Sequence, residues 1–217
     1  MAPVEYIVDG RSKRGEHMRD RDVRAVLSDY LRDLYRADPT TLFLDELGVC
    51  CGAARVDVAV VNSHLAGYEI KSEADTLERL PGQLKAYAKV LDQLTLVANT
   101  RHIARLESQL PDWCGLVEVT VTAGAPEVRE LKPAATNADL DAYSVAQLLW
   151  RDEALDVLRE RDLARGLKSR PRVALWCKLA EALPLEDLRQ EVRRRLKARD
   201  NWRPGARRTP SDVTSQR

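Results

Sequence analysis

Three charged residues lie within a stretch that otherwise has the composition of two β-strands. Residues 55–72 read RVDVAVVNSHLAGYEIKS, with Asp57 in the first apolar run and Glu69 and Lys71 in the second. Two carboxylates held close together in a partly buried site repel each other, and either a proton or a cation relieves that repulsion. Mg²⁺ in proteins takes one or two carboxylates and keeps several waters. With a lysine to position water or stabilise developing charge, these residue types suit phosphodiester hydrolysis.

The register of the predicted hairpin decides whether these side chains meet. Side chains alternate across a strand, so Asp57 is predicted to lie on the face opposite Val56 and Val58. A three-residue loop at 62–64 would place Asp57 opposite Glu69, with β-carbons about 5 Å apart. A two-residue turn would direct Asp57 away from Glu69. The sequence leaves both registers open.

A purely structural interpretation competes with the catalytic one. Lys71 could neutralise Glu69 or Asp57 in a salt-bridged pair of strands, because Asp, Glu and Lys are common residues. The surrounding elements therefore carry weight in deciding between the two interpretations.

Apolar periodicity and turn residues predict the elements around the hairpin. Helices are predicted at 17–37, 81–92, 101–110, 144–163, 171–182 and 185–199, and further strands at 41–49, 94–99 and 116–122. Residues 123–142 are predicted to be irregular. The order helix, strand, strand, strand, helix, strand predicts an α/β fold with a mixed sheet between helices.

In this setting the chain resembles the PD-(D/E)XK nuclease superfamily, whose restriction-endonuclease-like core has the order αβββαβ. Val56-Asp57 matches the "PD" element with a departure at its first position, and Glu69-Ile70-Lys71 matches "(D/E)XK". Gln83 and Tyr87 in GQLKAY match the Q-x₃-Y helix of the RecB-like branch. These two are four residues apart and share a helix face, although a core Tyr87 beside a boundary Gln83 would give the same spacing.

The resemblance implies a Mg²⁺-dependent nuclease, with Mn²⁺ as a possible substitute. Asp57, Glu69 and the carbonyl of Ile70 would hold the metal. Glu46, in LDELG, would be either a further metal ligand or a structural charge at a strand end. Lys71 would orient the attacking water and stabilise negative charge.

Gln83 and Tyr87 would support the site or the scissile phosphate. The implied substrate is nucleic acid, with DNA favoured over RNA and the choice left open by the sequence, and the implied setting is DNA repair, phage biology or defence. We expect three regions: a nuclease-like core at 17–122, an α-helical extension at 143–202, and a tail at 203–217 that lacks apolar periodicity and is expected to be disordered.

A longer run of residues resembles a bacterial and phage family within that superfamily. It comprises ELG, RVDVAVVN and GYEIKSEADTLERLPGQLKAY, together with an LLWR motif at 148–151 in the helical extension. This resemblance is specific for the fold and the site, and it does not define a substrate.

The basic helix predicted at 185–199 offers candidate phosphate contacts. Residues 188–208 hold nine Arg or Lys, and Arg193 and Arg194 are predicted to lie on the exposed side, where they could bind the nucleic-acid backbone. A solvated face or a protein-docking surface explains the same charges.

Composition excludes several other classes of protein. The 217-residue chain is 44% hydrophobic and 32% charged, with a formal net charge of +1, and it contains no apolar run long enough for a membrane helix. Its first residues lack an apolar signal core, so we expect a cytoplasmic protein. It has no CxxC pair, no clustered histidines and no Gly-rich phosphate loop. Near-neutral charge keeps open an alternative function: a non-catalytic nucleic-acid-binding or partner-docking protein that reuses the nuclease fold.

Overall fold

The computed structural model describes residues 5–7, 20–122 and 125–199, and the side chains of 20–121 and 125–199. Its strands are β1 (Glu5–Ile7), β2 (Leu42–Val49), β3 (Ala54–Val61), β4 (Leu65–Lys71), β5 (Gln93–Ala98), β6 (Cys114–Thr122) and β7 (Ala125–Lys132). Its helices are α1 (Asp20–Leu34), α2 (Leu80–Ala88), α3 (Thr100–Gln109), α4 (Ala142–Ala146), α5 (Arg151–Arg159), α6 (Arg172–Ala182) and α7 (Leu185–Ala198).

The strands form one mixed sheet in the order β1-β7-β6-β5-β4-β3-β2. The strands β2, β3 and β4 are antiparallel neighbours, β4, β5 and β6 are parallel, and β7 returns antiparallel to β6. The two parallel pairs are connected by α2 and α3, since parallel neighbours need a crossover connection. The predicted α/β fold with a mixed sheet and a C-terminal helical extension is confirmed.

Helices cover both faces of the sheet. Apolar residues of α1 pack on one face against Val58, Val60, Tyr68 and Ile70, and we call this the α1 face. The opposite face, called the α2 face, forms one continuous apolar cluster with α2 and with α4 to α7. Because both faces are covered, every residue of β4 is buried.

The hairpin between β3 and β4 has the three-residue loop at 62–64. Val61 pairs with Leu65, and the Asn62 amide donates to the carbonyl of His64 at 3.0 Å. The paired register ends at Val58 and Tyr68. The three-residue loop thus gives the register in which Asp57 and Glu69 are the next two residues beyond the last paired residues, Val58 and Tyr68.

The prediction that side chains alternate strictly between the two faces along β3 is wrong at Val56. Val56 packs in the α2-face cluster together with Ala59, three residues away, whereas Val58 packs on the α1 face. The neighbouring strand β2 changes faces at the same level, since Glu46 has a φ of 59°. A left-handed residue in one strand rotates the backbone locally, and Asp57 lies opposite this kink.

Two parts of the predicted secondary structure need correction. The segment 123–142 is not irregular throughout, because β7 pairs with both β6 and β1 and buries Val128. The single helix predicted at 144–163 is two helices, since Trp150 has an extended backbone and caps α5. The tail at 203–217 lies outside the described residues.

Among the helices of the described ranges, none combines the length and apolarity that crossing a bilayer requires.

Candidate active site

Glu69 and Lys71 lie together at the carboxyl end of an interior strand. Both belong to β4, they are separated by one residue and so point to the same face, and they are 3% and 7% exposed. The Lys71 Nζ donates to Glu69 Oε1 at 2.8 Å. A buried acid and base at this distance form an ion pair largely shielded from water.

Helix α2 supplies two further partners for the Glu69 carboxylate. Gln83 Nε2 donates to Glu69 Oε1 at 2.6 Å, and the side-chain oxygen of Gln83, Oε1, accepts from Lys71 at 3.1 Å. Tyr87, one turn later, donates its hydroxyl to Glu69 Oε2 at 2.7 Å. Pro81 in the first turn suits the start of this helix. The structure therefore brings Glu69, Lys71, Gln83 and Tyr87 into one hydrogen-bonded cluster.

The Tyr87 hydroxyl ties this cluster to the neighbouring strand. It also lies 2.8 Å from the carbonyl oxygen of Arg55 in β3. A hydroxyl has one proton, so it can donate to Glu69 or to this carbonyl but not to both at once. Burial, followed by the charge of Glu69, raises the pKa of Tyr87 far above its ordinary value. Tyr87 is therefore a neutral donor throughout the physiological pH range.

Asp57 lies where β3 and β4 cease to pair, and it has a different set of partners. Its Oδ2 accepts from the backbone N–H of Ile70 at 2.7 Å, and its Oδ1 accepts from Arg24 Nη2 at 3.0 Å. Burial, and then the charge of Glu69, raise the pKa of Asp57 to about 6, although the Ile70 N–H and Arg24 oppose that change. The carboxylates of Asp57 and Glu69 are therefore close enough to repel each other.

Arg24, from α1, is a site residue that the sequence analysis missed. Its Nη1 donates to the carbonyl of Asp57 at 2.8 Å, and its Nη2 donates to Glu46 Oε1 at 2.9 Å as well as to Asp57. Burial acts to lower the Arg24 pKa, but the surrounding carboxylates raise it overall. The available signal was an arginine that directly follows the buried Val23 and precedes the buried Leu27 by three positions in an amphipathic helix.

Glu46 groups with Asp57 and not with Glu69. It shares Arg24 with Asp57, and its second oxygen lies 2.5 Å from Arg55 Nε. Its side chain is 42% exposed, so it lies at the mouth of the site.

The donor set fits a Mg²⁺ ion bound by two carboxylates. Asp57, Glu69 and the Ile70 carbonyl offer hard oxygen ligands. Burial and then the charge of Glu69 raise the pKa of Asp57, and a cation would offset both effects. No group of three or more His, Cys, Asp or Glu residues with metal-binding geometry occurs in the described part of the chain. Mg²⁺ does not require such a group, because waters complete its coordination.

The candidate phosphate contacts on α7 are engaged in ion pairs. Arg193 is only 12% exposed and lies 3.5 Å from Asp92 and 3.1 Å from Glu186, so its predicted place on the exposed side is wrong. Arg194 is 51% exposed, but it contacts Glu160 at 2.6 Å and Glu191 at 2.7 Å. Apolar periodicity did not reveal two of these acidic partners, Asp92 and Glu160, because they lie outside α7.

A different basic segment is exposed and unpaired. Arg165, Lys168 and Arg170, in the connection between α5 and α6, are exposed and have no acidic partner among the described residues. Arg151 holds the backbone of this connection by donating to the carbonyls of Lys168 at 2.5 Å and Arg170 at 3.5 Å. Arg151 therefore contacts the backbone of two of these three cationic residues.

A mixed sheet that carries two acids and a buried lysine on the β3–β4 hairpin defines an α/β protein whose candidate site is contacted by α1 from one face and by α2 from the other. The chain belongs to the family described as Bacteriophage P4 protein cII, which matches residues 13–206. A curated relative is Protein cII of Enterobacteria phage P4, 24% identical over 145 residues, which are 67% of this chain and 54% of the relative. The chain thus spans about half the length of that relative. No solved structure matches the chain.

Neither match bears on the resemblance to the PD-(D/E)XK superfamily, and the roles assigned through that resemblance stay predictions.

Proposed function

We propose that this protein is a Mg²⁺-dependent nuclease that hydrolyses phosphodiester bonds, with DNA as the substrate. The observation that carries the proposal is the buried Lys71, held against Glu69 by Gln83, beside an Asp57 whose pKa is raised. Perturbed ionisable groups gathered at one place are more frequent at functional sites than elsewhere.

Asp57, Glu69 and the Ile70 carbonyl would hold Mg²⁺, or Mn²⁺ in its place, with Glu46 as a further candidate ligand. The bound ion would act as a Lewis acid toward a phosphate oxygen and make water a stronger nucleophile. Gln83 and Tyr87 hold the Glu69 carboxylate in one orientation from two directions.

Lys71 keeps one donor for the reaction. Its ammonium group has three N–H donors, and the bonds to Glu69 and Gln83 use two of them. The third could orient a water molecule or bind a phosphate oxygen on which negative charge develops.

A nuclease also needs contacts to the nucleic-acid backbone outside its reactive centre. Arg165, Lys168 and Arg170 are exposed and have no acidic partner in the part of the chain that the structure describes, so they are better candidates than the paired Arg193 and Arg194. Such contacts position the substrate and carry no sequence information. Membership of a phage protein family favours phage biology over repair or defence as the setting.

A non-catalytic function is the second candidate, and one observation favours it. Both oxygens of Asp57 and both oxygens of Glu69 already accept hydrogen bonds from protein donors. A cluster satisfied in this way could serve as a structural ion-pair network in a nucleic-acid-binding or partner-docking protein.

Cleavage assays separate the two candidates. Purified protein is incubated with circular and linear, single- and double-stranded DNA and RNA, in Mg²⁺, Mn²⁺ or EDTA. We expect metal-dependent cleavage of DNA, and a loss of about 10²-fold or more in Asp57→Ala and Lys71→Ala. Asp29→Ala, an exposed change on α1, is the matched control. Wild-type rates in both site variants, or no cleavage of any substrate, would overturn the nuclease proposal.

A further inference from the structure

Arg24 is surrounded by carboxylates at the candidate site. It extends from α1 across the edge of the sheet, and its side chain is 22% exposed. Four carboxylates lie within 4 Å of its guanidinium group: Asp20, Asp45, Glu46 and Asp57. These four acids therefore share Arg24, and Glu46 also contacts Arg55 at 2.5 Å.

The contacts of Arg24 are concentrated on two of those acids. A single nitrogen, Nη2, bridges Glu46 Oε1 at 2.9 Å and Asp57 Oδ1 at 3.0 Å, and Nη1 binds the Asp57 carbonyl at 2.8 Å. Asp20 and Asp45 are farther away, at 3.8 Å and 3.9 Å. A cation that is shared between two carboxylate oxygens offsets their mutual repulsion, as a bridging metal ion would with twice the charge.

We propose that Arg24 is a built-in counter-ion that competes with a divalent cation for Asp57 and Glu46. This inference rests on the metal site of the proposed nuclease. Arg24 stabilises the acid pair while the metal is absent, and a metal ion that binds Asp57 Oδ1 must displace the guanidinium group. Metal affinity is therefore set partly by a residue that is not itself a ligand.

The competition has two consequences of opposite sign. Replacing Arg24 with a neutral residue leaves Glu46 and Asp57 without their shared cation, so the metal-free protein becomes less stable. The same change removes a competitor and a repelling charge, so the metal binds more tightly. A ligand that binds only the folded state raises its stability according to its affinity, which links the two effects in one thermodynamic cycle.

A merely structural Arg24 would behave differently. If the residue only tied α1 to β2 and β3, its loss would lower the melting temperature equally with and without metal. Competition predicts instead that added metal restores most of the melting temperature that the Arg24 variant loses in the absence of metal. The difference between the two melting-temperature shifts separates these roles without reference to catalysis.

The test compares Arg24→Gln and Arg24→Lys with wild type, using Mn²⁺ as the probe. Mn²⁺ binding is measured by electron paramagnetic resonance or calorimetry, and melting temperature is measured in EDTA and in Mn²⁺. The control is Arg32→Gln, since Arg32 is exposed on the same helix and pairs with Asp29. We expect Arg24→Gln to bind Mn²⁺ about tenfold more tightly, with an intermediate effect in Arg24→Lys and none in the control.

The outcomes separate this inference from the proposed function. Equal or weaker Mn²⁺ binding in Arg24→Gln, an equal loss of melting temperature with and without Mn²⁺, or no Mn²⁺ binding by wild type would overturn it. If Arg24→Gln does not fold, Arg24→Lys must still bind Mn²⁺ more tightly than wild type, because a shorter ammonium group cannot reproduce the bridging contacts. Tighter Mn²⁺ binding by Arg24→Gln together with no cleavage of any nucleic acid would support the competition between Arg24 and the metal and would contradict the proposed nuclease activity.

Discussion

At the scale of single residues, two acids on neighbouring strands differ in what neutralises them. Glu69 is buried with Lys71 as its partner, whereas Asp57 shares Arg24 with Glu46. The charge of Glu69 nevertheless contributes to the raised pKa of Asp57. The site therefore combines a well-satisfied carboxylate with one whose ionisation is opposed, and a metal ion would act mainly on the second.

The raised pKa of Asp57 predicts a pH-dependent stability in the absence of metal. Its folded-state pKa is about 6, against about 3.9 in an unfolded chain, so the folded protein binds this proton more tightly. Ionised Asp57 thus destabilises the fold above pH 6, and that cost disappears as the pH falls from about 6 to about 4. Relative to Asp57→Asn, wild type should gain roughly 1 kcal/mol of unfolding free energy between pH 7.5 and pH 5.

Urea denaturation in EDTA at the two pH values measures this gain. Comparison with Asp57→Asn cancels the titration of other groups, and Asp29→Asn on the exposed side of α1 serves as a control that keeps wild-type behaviour. The difference in unfolding free energy between wild type and Asp57→Asn is the quantity compared. If it is the same at both pH values, or if it favours the variant more at low pH, ionised Asp57 is not destabilised by its surroundings.

At the scale of elements, α7 is held to the sheet by a buried acid. Asp92, at the start of β5, is 2% exposed and accepts from the Leu65 amide at 2.6 Å. It also contacts Arg189 at 2.8 Å and Arg193 at 3.5 Å. The basic character of α7 thus serves, in large part, to dock this helix.

Asp92→Ala should therefore destabilise the protein far more than Arg194→Ala does. Removing the buried Asp92 leaves two partly buried arginines with only the exposed Glu186 as an acidic partner, which costs about 3 kcal/mol. Arg194 lies in exposed ion pairs, and its loss should cost no more than about 1 kcal/mol. Urea denaturation of both variants gives the comparison. Similar small losses in the two would mean that Asp92 does not anchor α7.

At the scale of the whole molecule, the helical extension and the sheet share one core. Residues from β2 to β6 and from α4 to α7 belong to a single apolar cluster on the α2 face. The extension is therefore packed as part of the fold, and its exposed basic connection has a fixed relation to the helices that carry it.

The proposed DNA substrate predicts which of these cations set the salt dependence of binding. In the triple variant Arg165→Ala, Lys168→Ala, Arg170→Ala, the slope of log affinity against log salt on duplex DNA should fall by roughly 0.9 for each lost phosphate contact. Fluorescence anisotropy in EDTA measures binding without cleavage. Arg194→Ala is the matched control and should keep the wild-type slope, because Glu160 and Glu191 already pair with Arg194. An unchanged slope in the triple variant would make this segment a solvated surface.

Local patterns in the sequence determined much of the fold and part of the site. Apolar periodicity predicted the order of the core elements, because each period depends only on residues a few positions apart. The spacing of Glu69 and Lys71 placed them on one side of a strand, and the spacing of Gln83 and Tyr87 placed them on one side of a helix. Their convergence into one cluster is what the structure adds.

Only the tertiary structure decided the features that depend on distant parts of the chain. Arg24 reaches Asp57 across 33 positions, and Arg189 reaches Asp92 across 97, so no local period reveals either contact. The kink at Glu46 lets Val56 pack on the α2 face, contrary to simple alternation, because the packing of two covered faces outweighs the regular pleat. Whether a charged side chain is a free ligand or a buried partner is likewise determined by what packs against it.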